Sequence, residues 1–246
     1  LDVDVISICS PTKHHGKHLN QVLSLNPKLV FCEKPIHENY LVAKDIVQKY
    51  KAQNVHLIIN YSRRFDAQLA LFKESLISKD YGELHSISGW YNKGLLNNGS
   101  HLLDILNYLF ETISVKYVGS ALFDFTLEDP SVPVVLSTGS DVNISLSCGD
   151  ARDYSLFELD FVFSNARVKM FDGGLKWSVE KVIDSDIFIG YKTLGPLTVY
   201  EGGYPFSFQN ALINIHDCLS SNVYPLCNGD DGLAVLELYS QIMSQI

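Results

Sequence analysis

Basic charge, paired cysteines and long apolar runs are all scarce in this sequence of 246 residues. Nineteen Lys and Arg stand against 28 Asp and Glu, for a formal charge of -9, so no basic field is available to gather nucleic acid or anionic lipid. No apolar run approaches the ~20 residues that span a bilayer. Leu1 to Ser10 has neither the basic flank nor the small-residue cleavage site of a signal peptide, and a cytoplasmic setting is expected. The cysteines, Cys9, Cys32, Cys148, Cys218 and Cys227, are odd in number and show no C-x-x-C spacing, which suits reduced thiols better than a disulfide framework. What is abundant is apolar material: 46% of residues are hydrophobic and 19% charged, enough for a packed core and incompatible with intrinsic disorder.

Val3, Val5, Ile6 and Ile8, ahead of Cys9-Ser10-Pro11, read as a short, largely buried strand. Leu1 lies almost inside it and is not a methionine, so a further segment upstream is expected. Helical spacing follows over Lys17 to Leu25, an apolar run at Leu29 to Cys32, a second helix from Glu38 to Lys51, and a third β-rich run from Val55 to Tyr61. That alternation predicts an α/β fold, the second half of a doubly wound Rossmann domain over residues 1–61. Residues 62–246 read as an α+β domain with a large, mostly antiparallel open sheet. It comprises a helix at Ala67 to Ser78, a strand at Glu83 to Tyr91 and a helix at His101 to Phe110. Six short strands follow between Val115 and Val182, then helices near Phe208 to Leu219 and Gly232 to Ile246. Ser164-Asn165 suggests a tight hairpin, and the apolar alternation along Leu156 to Met170 suggests a sheet face that packs either against another subunit or, equally, under the chain's own helices.

Two segments carry candidate chemistry. Cys32-Glu33-Lys34-Pro35 lies at the carboxyl end of a parallel strand, where open α/β sheets place ligands, and Lys34 could set an ammonium beside a substrate oxygen. By spacing alone an ordinary surface lysine is an equal reading. Gly94 to Asp104 is a Gly-containing turn opening a helix that Asn98 or Ser100 could cap. His101 in its first turn would be kept neutral by the helix dipole, and Asp104 could orient that ring or support the helix start; a plain capping histidine is the blander reading. Ser62-Arg63-Arg64 could meet phosphate or carboxylate, although such arginines are more often solvated or paired with acids. His14, His15 and His18 lack a carboxylate in register to complete a zinc site, and no metal is expected. Gly173-Gly174 and Gly202-Gly203 read as turns.

Four stretches, in order and spacing, resemble the Gfo/Idh/MocA family of NAD(P)-dependent oxidoreductases. They are Asp4 to Pro11 with His15 beyond it, Cys32 to Pro35, Asn60-Tyr61-Ser62-Arg63-Arg64-Phe65, and Asn98-Gly99-Ser100-His101-Leu102-Leu103-Asp104. The resemblance implies NAD or NADP as cofactor, held partly by Ser10, Pro11, His15, Glu33, Lys34 and Pro35, with the glycine-rich pyrophosphate turn expected before Leu1. It implies Lys34 and His101 as catalytic groups, and a sugar or sugar derivative, including sugar nucleotides, as substrate. Asn60, Arg63, Arg64, Asn97, Asn98 and Asp104 are then the expected substrate contacts, with self-association through the C-terminal sheet. At Asn97 many members of the family carry a catalytic aspartate, and an amide cannot relay a proton as a carboxylate can. The alternative is a sensor or scaffold that keeps the fold and binds dinucleotide without turnover.

Overall fold

The computed structural model describes residues 3–221 and 223–246; Leu1 and Asp2, at the start of the expected Rossmann part, lie outside them. β1 (Val5–Ile8), β2 (Leu29–Glu33) and β3 (His56–Asn60) pair in parallel in that order. β2 is apolar without alternation because it is central and covered on both faces; Leu29, Val30, Phe31 and Cys32 are all buried. Helices α1 (His15–Leu23) and α2 (Tyr40–Ala52) make the crossovers. The Asn39 side chain caps α2 by accepting the Val42 N–H at 3.2 Å, and the Tyr50 hydroxyl donates to the Leu19 carbonyl at 2.9 Å, tying α2 to α1.

Past β3 come α3 (Ala67–Ser78), capped by Asp66, β4 (Leu84–Tyr91) and α4 (Ser100–Leu109). β5 (Ile113–Val118), β6 (Val134–Thr138), β7 (Asn143–Cys148), β8 (Phe157–Phe163), β9 (Ala166–Phe171) and β10 (Lys176–Asp184) follow, then β11 (Lys192–Leu194) and β12 (Thr198–Glu201). With β4 they form one sheet, ordered β11-β10-β9-β8-β4-β7-β6-β5, with β12 also on β10. The pairing of β4 with β7 is parallel, and the other ladders are antiparallel. Alternating burial along β8 and β9 turns Leu159, Phe161, Val168 and Met170 inward. There Phe161 and Trp177 pack on Phe72 of α3 with ring centroids 4.7 and 5.2 Å apart.

Helix α5 (Ser207–Ser220) is followed by α6 (Gly229–Met243), which starts at a capping box between Asn228 and Asp231. Although α6 ends the chain, it returns to pack on α2, β3 and α4. The Ile59 N–H donates to the Cys227 carbonyl at 3.0 Å just before it, so the Rossmann-like sheet and the helix bearing His101 share one wall. Among the described residues no helix is long and apolar enough to cross a membrane.

The strand expected over Val115 to Phe125 stops at Val118. Asp124 there is drawn into a loop, its carboxylate accepting the Lys93 N–H at 2.7 Å. The short edge strands β11 and β12 were not foreseen, since Gly190, Gly195 and Pro196 break the alternation that marks a strand.

Candidate active site

The carboxyl ends of β1, β2 and β3 converge, and two contacts lock them. The ring nitrogens of buried His15 lie 2.6 Å from the Pro35 carbonyl oxygen and 2.7 Å from that of Ser10, so the ring is a strut between the loops after β1 and β2. The Ser10 hydroxyl sits 2.9 Å from His18 Nδ1. Asn60, at the end of β3, donates its amide to Glu33 Oε1 at 2.7 Å, leaving Asn60 Oδ1 buried without a partner among the described residues. Lys34 follows Glu33 directly and precedes a cis peptide to Pro35.

Opposite lies the segment that carries His101. Lys93 and Gly94 both adopt left-handed backbone, at φ 69° and 83°, and Gly94 to Gly99 wind as a π-helical turn into α4. Only glycine serves at 94, because a Cβ there would stand 2.2 Å from Asp129 Oδ2. The turn is cradled by the loop between β5 and β6. The Gly94 N–H donates to Ser131 Oγ at 3.0 Å, that of Leu95 to the Pro130 carbonyl at 2.9 Å, and those of Leu96 and Asn97 to the two Asp129 carboxylate oxygens at 2.7 and 2.8 Å. Leu102, Leu103, Ile105 and Leu106 are fully buried and anchor α4 beyond it; each such side chain contributes about 1.5–3 kcal/mol.

Lys34 Nζ crosses to this turn, donating to the Asn97 carbonyl and lying 3.4 Å from Asn97 Oδ1. Burial lowers its pKa to about 8, with Glu33 and Asp129 opposing and Arg63 and Lys93 assisting. His101 packs edge-on to Tyr61 and Phe157, at centroid distances of 5.6 and 6.4 Å, and its Nδ1 is buried with no partner among the described residues. Burial first, then the charges of Lys34 and Arg63, hold its pKa well below the usual imidazole range. The neutral ring was expected from the dipole of a helix start. That cause is replaced: the π-turn runs into α4 and neither Asn98 nor Ser100 caps it. Asn98 donates its amide to the Asn92 carbonyl at 2.9 Å instead.

The two arginines divide. Arg63 stacks 3.7 Å over the Phe157 ring and 4.8 Å from Tyr204, donating to the Gly173 carbonyl at 3.2 and 3.0 Å. Its charge is felt at His101. Arg64 is buried and turned inward: Nε donates to both Asp104 oxygens at 2.9 and 3.1 Å, and Nη1 lies 2.8 Å from Asp231 of α6. Asp104 therefore partners Arg64 rather than His101, and burial lifts its carboxyl to about 7 against the pull of that guanidinium. The hydrogen-bonding groups of Arg64 and Asp104 are used within the fold.

A cavity of about 460 Å3 opens beside Lys34. Its wall includes Thr12, Pro35, Asn97, Phe125, Asp129 and Tyr239; His101 is not among its lining residues. The size suits a small ligand, and the cavity lies at the carboxyl ends of β1 and β2, where open α/β sheets bind ligands. Sequence reasoning missed Asp129, Asp231 and the Phe157–Tyr204 sandwich. Thr126-x-x-Asp129, in which Thr126 Oγ1 accepts the Asp129 N–H at 3.1 Å, is a turn signal that could have drawn attention to the first.

Residues 1–61 match the model of the oxidoreductase family with an NAD-binding Rossmann fold. YrbE of Bacillus subtilis, an uncharacterized oxidoreductase, is 22% identical over 252 residues, covering 94% of this chain and 72% of that protein. An inositol 2-dehydrogenase of Rhizobium meliloti is 24% identical over 164 residues, 62% of this chain and 44% of its own length. The fold is that of the dehydrogenase MviM from Clostridium difficile, with a TM-score of 0.80 and 17% identity over 99% of this chain and 79% of that one. The match to the Gfo/Idh/MocA oxidoreductase family is thus carried by the Rossmann part of the chain, residues 1–61, and the remainder shares the fold of these dehydrogenases.

Proposed function

We propose that the protein transfers hydride between NAD or NADP and a hydroxyl of a sugar-like polyol, with Lys34 and His101 as its catalytic residues. The reading is carried by one observation: a ring nitrogen without a partner among the described residues, on a histidine kept neutral by burial first and then by the charges of Lys34 and Arg63. When bound, the dinucleotide supplies the hydride acceptor, and Ser10, Pro11, Thr12, Lys34 and Pro35 at the strand ends would flank its nicotinamide. His101 takes the hydroxyl proton as the C–H bond is lost, which a neutral imidazole can do and an imidazolium cannot. Lys34 donates to the same oxygen as it becomes a carbonyl. Asn97, in the wall of the cavity beside Lys34, would contact the substrate, while Arg64 and Asp104 hold α4 in place. The inositol dehydrogenase among the relatives supports a cyclic polyol or sugar as substrate. Self-association is assigned to the outward sheet face, where Trp90 and Val162 are partly exposed.

The test is to supply NAD+ or NADP+ with a panel of polyols, sugars and sugar nucleotides and follow nicotinamide reduction. Turnover that falls at least a hundredfold in His101→Ala supports the proposal, and activity within a few-fold of wild type removes His101 from the mechanism. Asn97 in place of an acid favours a second reading, a dinucleotide-binding sensor. Saturable cofactor binding without turnover would select it.

A further inference from the structure

Residue 97 offers Lys34 only a carbonyl and an amide oxygen, so a buried ammonium is left without a carboxylate on the segment it touches. Beside the charge of neighbouring Glu33, a second carboxylate reaches Lys34 from another part of the chain. Asp129, in the loop between β5 and β6, shares the wall of the Lys34 cavity. It grips the Leu96 and Asn97 amides, one with each oxygen, at 2.7 and 2.8 Å. Residue 97 is thus held on both sides of its Cα: its N–H, in the peptide shared with Leu96, donates to the carboxylate, and its carbonyl, in the peptide shared with Asn98, accepts from the ammonium. We infer that Asp129 is the positioning residue for Lys34, fixing the Asn97 carbonyl that receives the ammonium and supplying the negative charge that an asparagine at 97 lacks.

The surrounding charges allow this assignment. The groups acting on Lys34 are Glu33 on its own strand, Asp129, Arg63 after β3 and Lys93 before the π-turn; the first two favour the ammonium and the last two oppose it. Glu33, which also accepts a hydrogen bond from Asn60, exerts the larger pull on Lys34; Asp129 adds to it from the opposite side and is the one of the two whose carboxylate also holds the residue that receives the ammonium. The influence is mutual: burial raises the Asp129 carboxyl, while its two backbone donors and the charge of Lys34 lower it. A purely structural role, capping the turn, would require the amide contacts and no dependence of Lys34 on the charge.

The inference rests on Lys34 being the acting ammonium, and its test is independent of turnover. Protein labelled with ε-13C lysine, with the Lys34 resonance assigned by Lys34→Arg, is titrated by NMR. Asp129→Asn is expected to lower the Lys34 midpoint by about one pH unit, and the double variant Asn97→Asp/Asp129→Asn to restore most of that loss. An unchanged midpoint in Asp129→Asn, or no restoration in the double variant, overturns the inference. Should Asp129→Asn fail to fold, the reciprocal experiment decides: Lys34→Met must raise the Asp129 midpoint, read from 13C-carboxyl aspartate, and no change would contradict it. Coupling without turnover defeats only the proposed function, and turnover without coupling defeats only the role of Asp129.

Discussion

Replacing Arg64 by methionine removes a guanidinium that ties three elements together: the turn after β3, the first turns of α4 through Asp104, and the start of α6 through Asp231. The Arg64 and Asp104 side chains are 4% and 1% exposed, so water cannot replace either partner. Loss of one member of such a pair leaves the other desolvated and unpaired, at a cost of about 3–5 kcal/mol. In a chain of this size that corresponds to a melting temperature lower by about 6 to 20 °C. Asp231, at 27% exposure, is partly solvated and adds little to the loss. The double variant Arg64→Met/Asp104→Leu removes both charges and is expected to recover more than half of the stability lost by Arg64→Met. The assay is urea unfolding followed by circular dichroism for the wild type, both single variants and the double variant. A cost below about 1 kcal/mol for Arg64→Met, or a double variant as unstable as the sum of the singles, would refute the view that this pair holds α4 to the turn after β3.

Two further predictions concern pH. His101 has a folded-state pKa depressed below its unfolded value, so the unfolded chain binds the proton more tightly; its contribution to stability is complete above about pH 6.5 and falls by about 1.4 kcal/mol per pH unit as acid is added. His101→Phe should remove that part of the slope between pH 6.5 and 5, as measured by urea midpoints, and an unaltered slope would count against a buried neutral ring. Lys34, lowered to about 8, is half deprotonated there, so turnover that needs its ammonium should decline above about pH 8. Lys34→Arg should move that decline to higher pH in whatever activity remains, and a limb that stays in place assigns it to another group.

Much of the fold was legible because its signals are local. The unbroken apolar run at Leu29 to Cys32, the apolar spacing of α4 at Leu102, Ile105 and Leu106 and the Ser164-Asn165 turn each follow from residues close in sequence, and each lies where expected. Of the two expected catalytic groups, Lys34 reaches Asn97 in the turn that leads into the helix of His101, while His101 itself is not among the residues lining the cavity beside Lys34. What was illegible depends on partners far apart in the chain. Nothing near Arg64 announces that its charge is absorbed by Asp104, 40 positions on, and by a helix near the end of the chain. Nor does Gly94 reveal that an aspartate from another loop fills the space a side chain would need. The π-turn likewise arises from Asp124, Asp129 and Ser131 gripping successive amides, a tertiary effect that no period in residues 94–99 encodes.

The most direct measurement is a crystal structure of the protein with NAD+ and a polyol that it oxidises. The account predicts one substrate hydroxyl within about 3.2 Å of both Lys34 Nζ and a ring nitrogen of His101. A bound polyol whose reacting oxygen touches only one of the two, with the other facing a separate cavity, would contradict it.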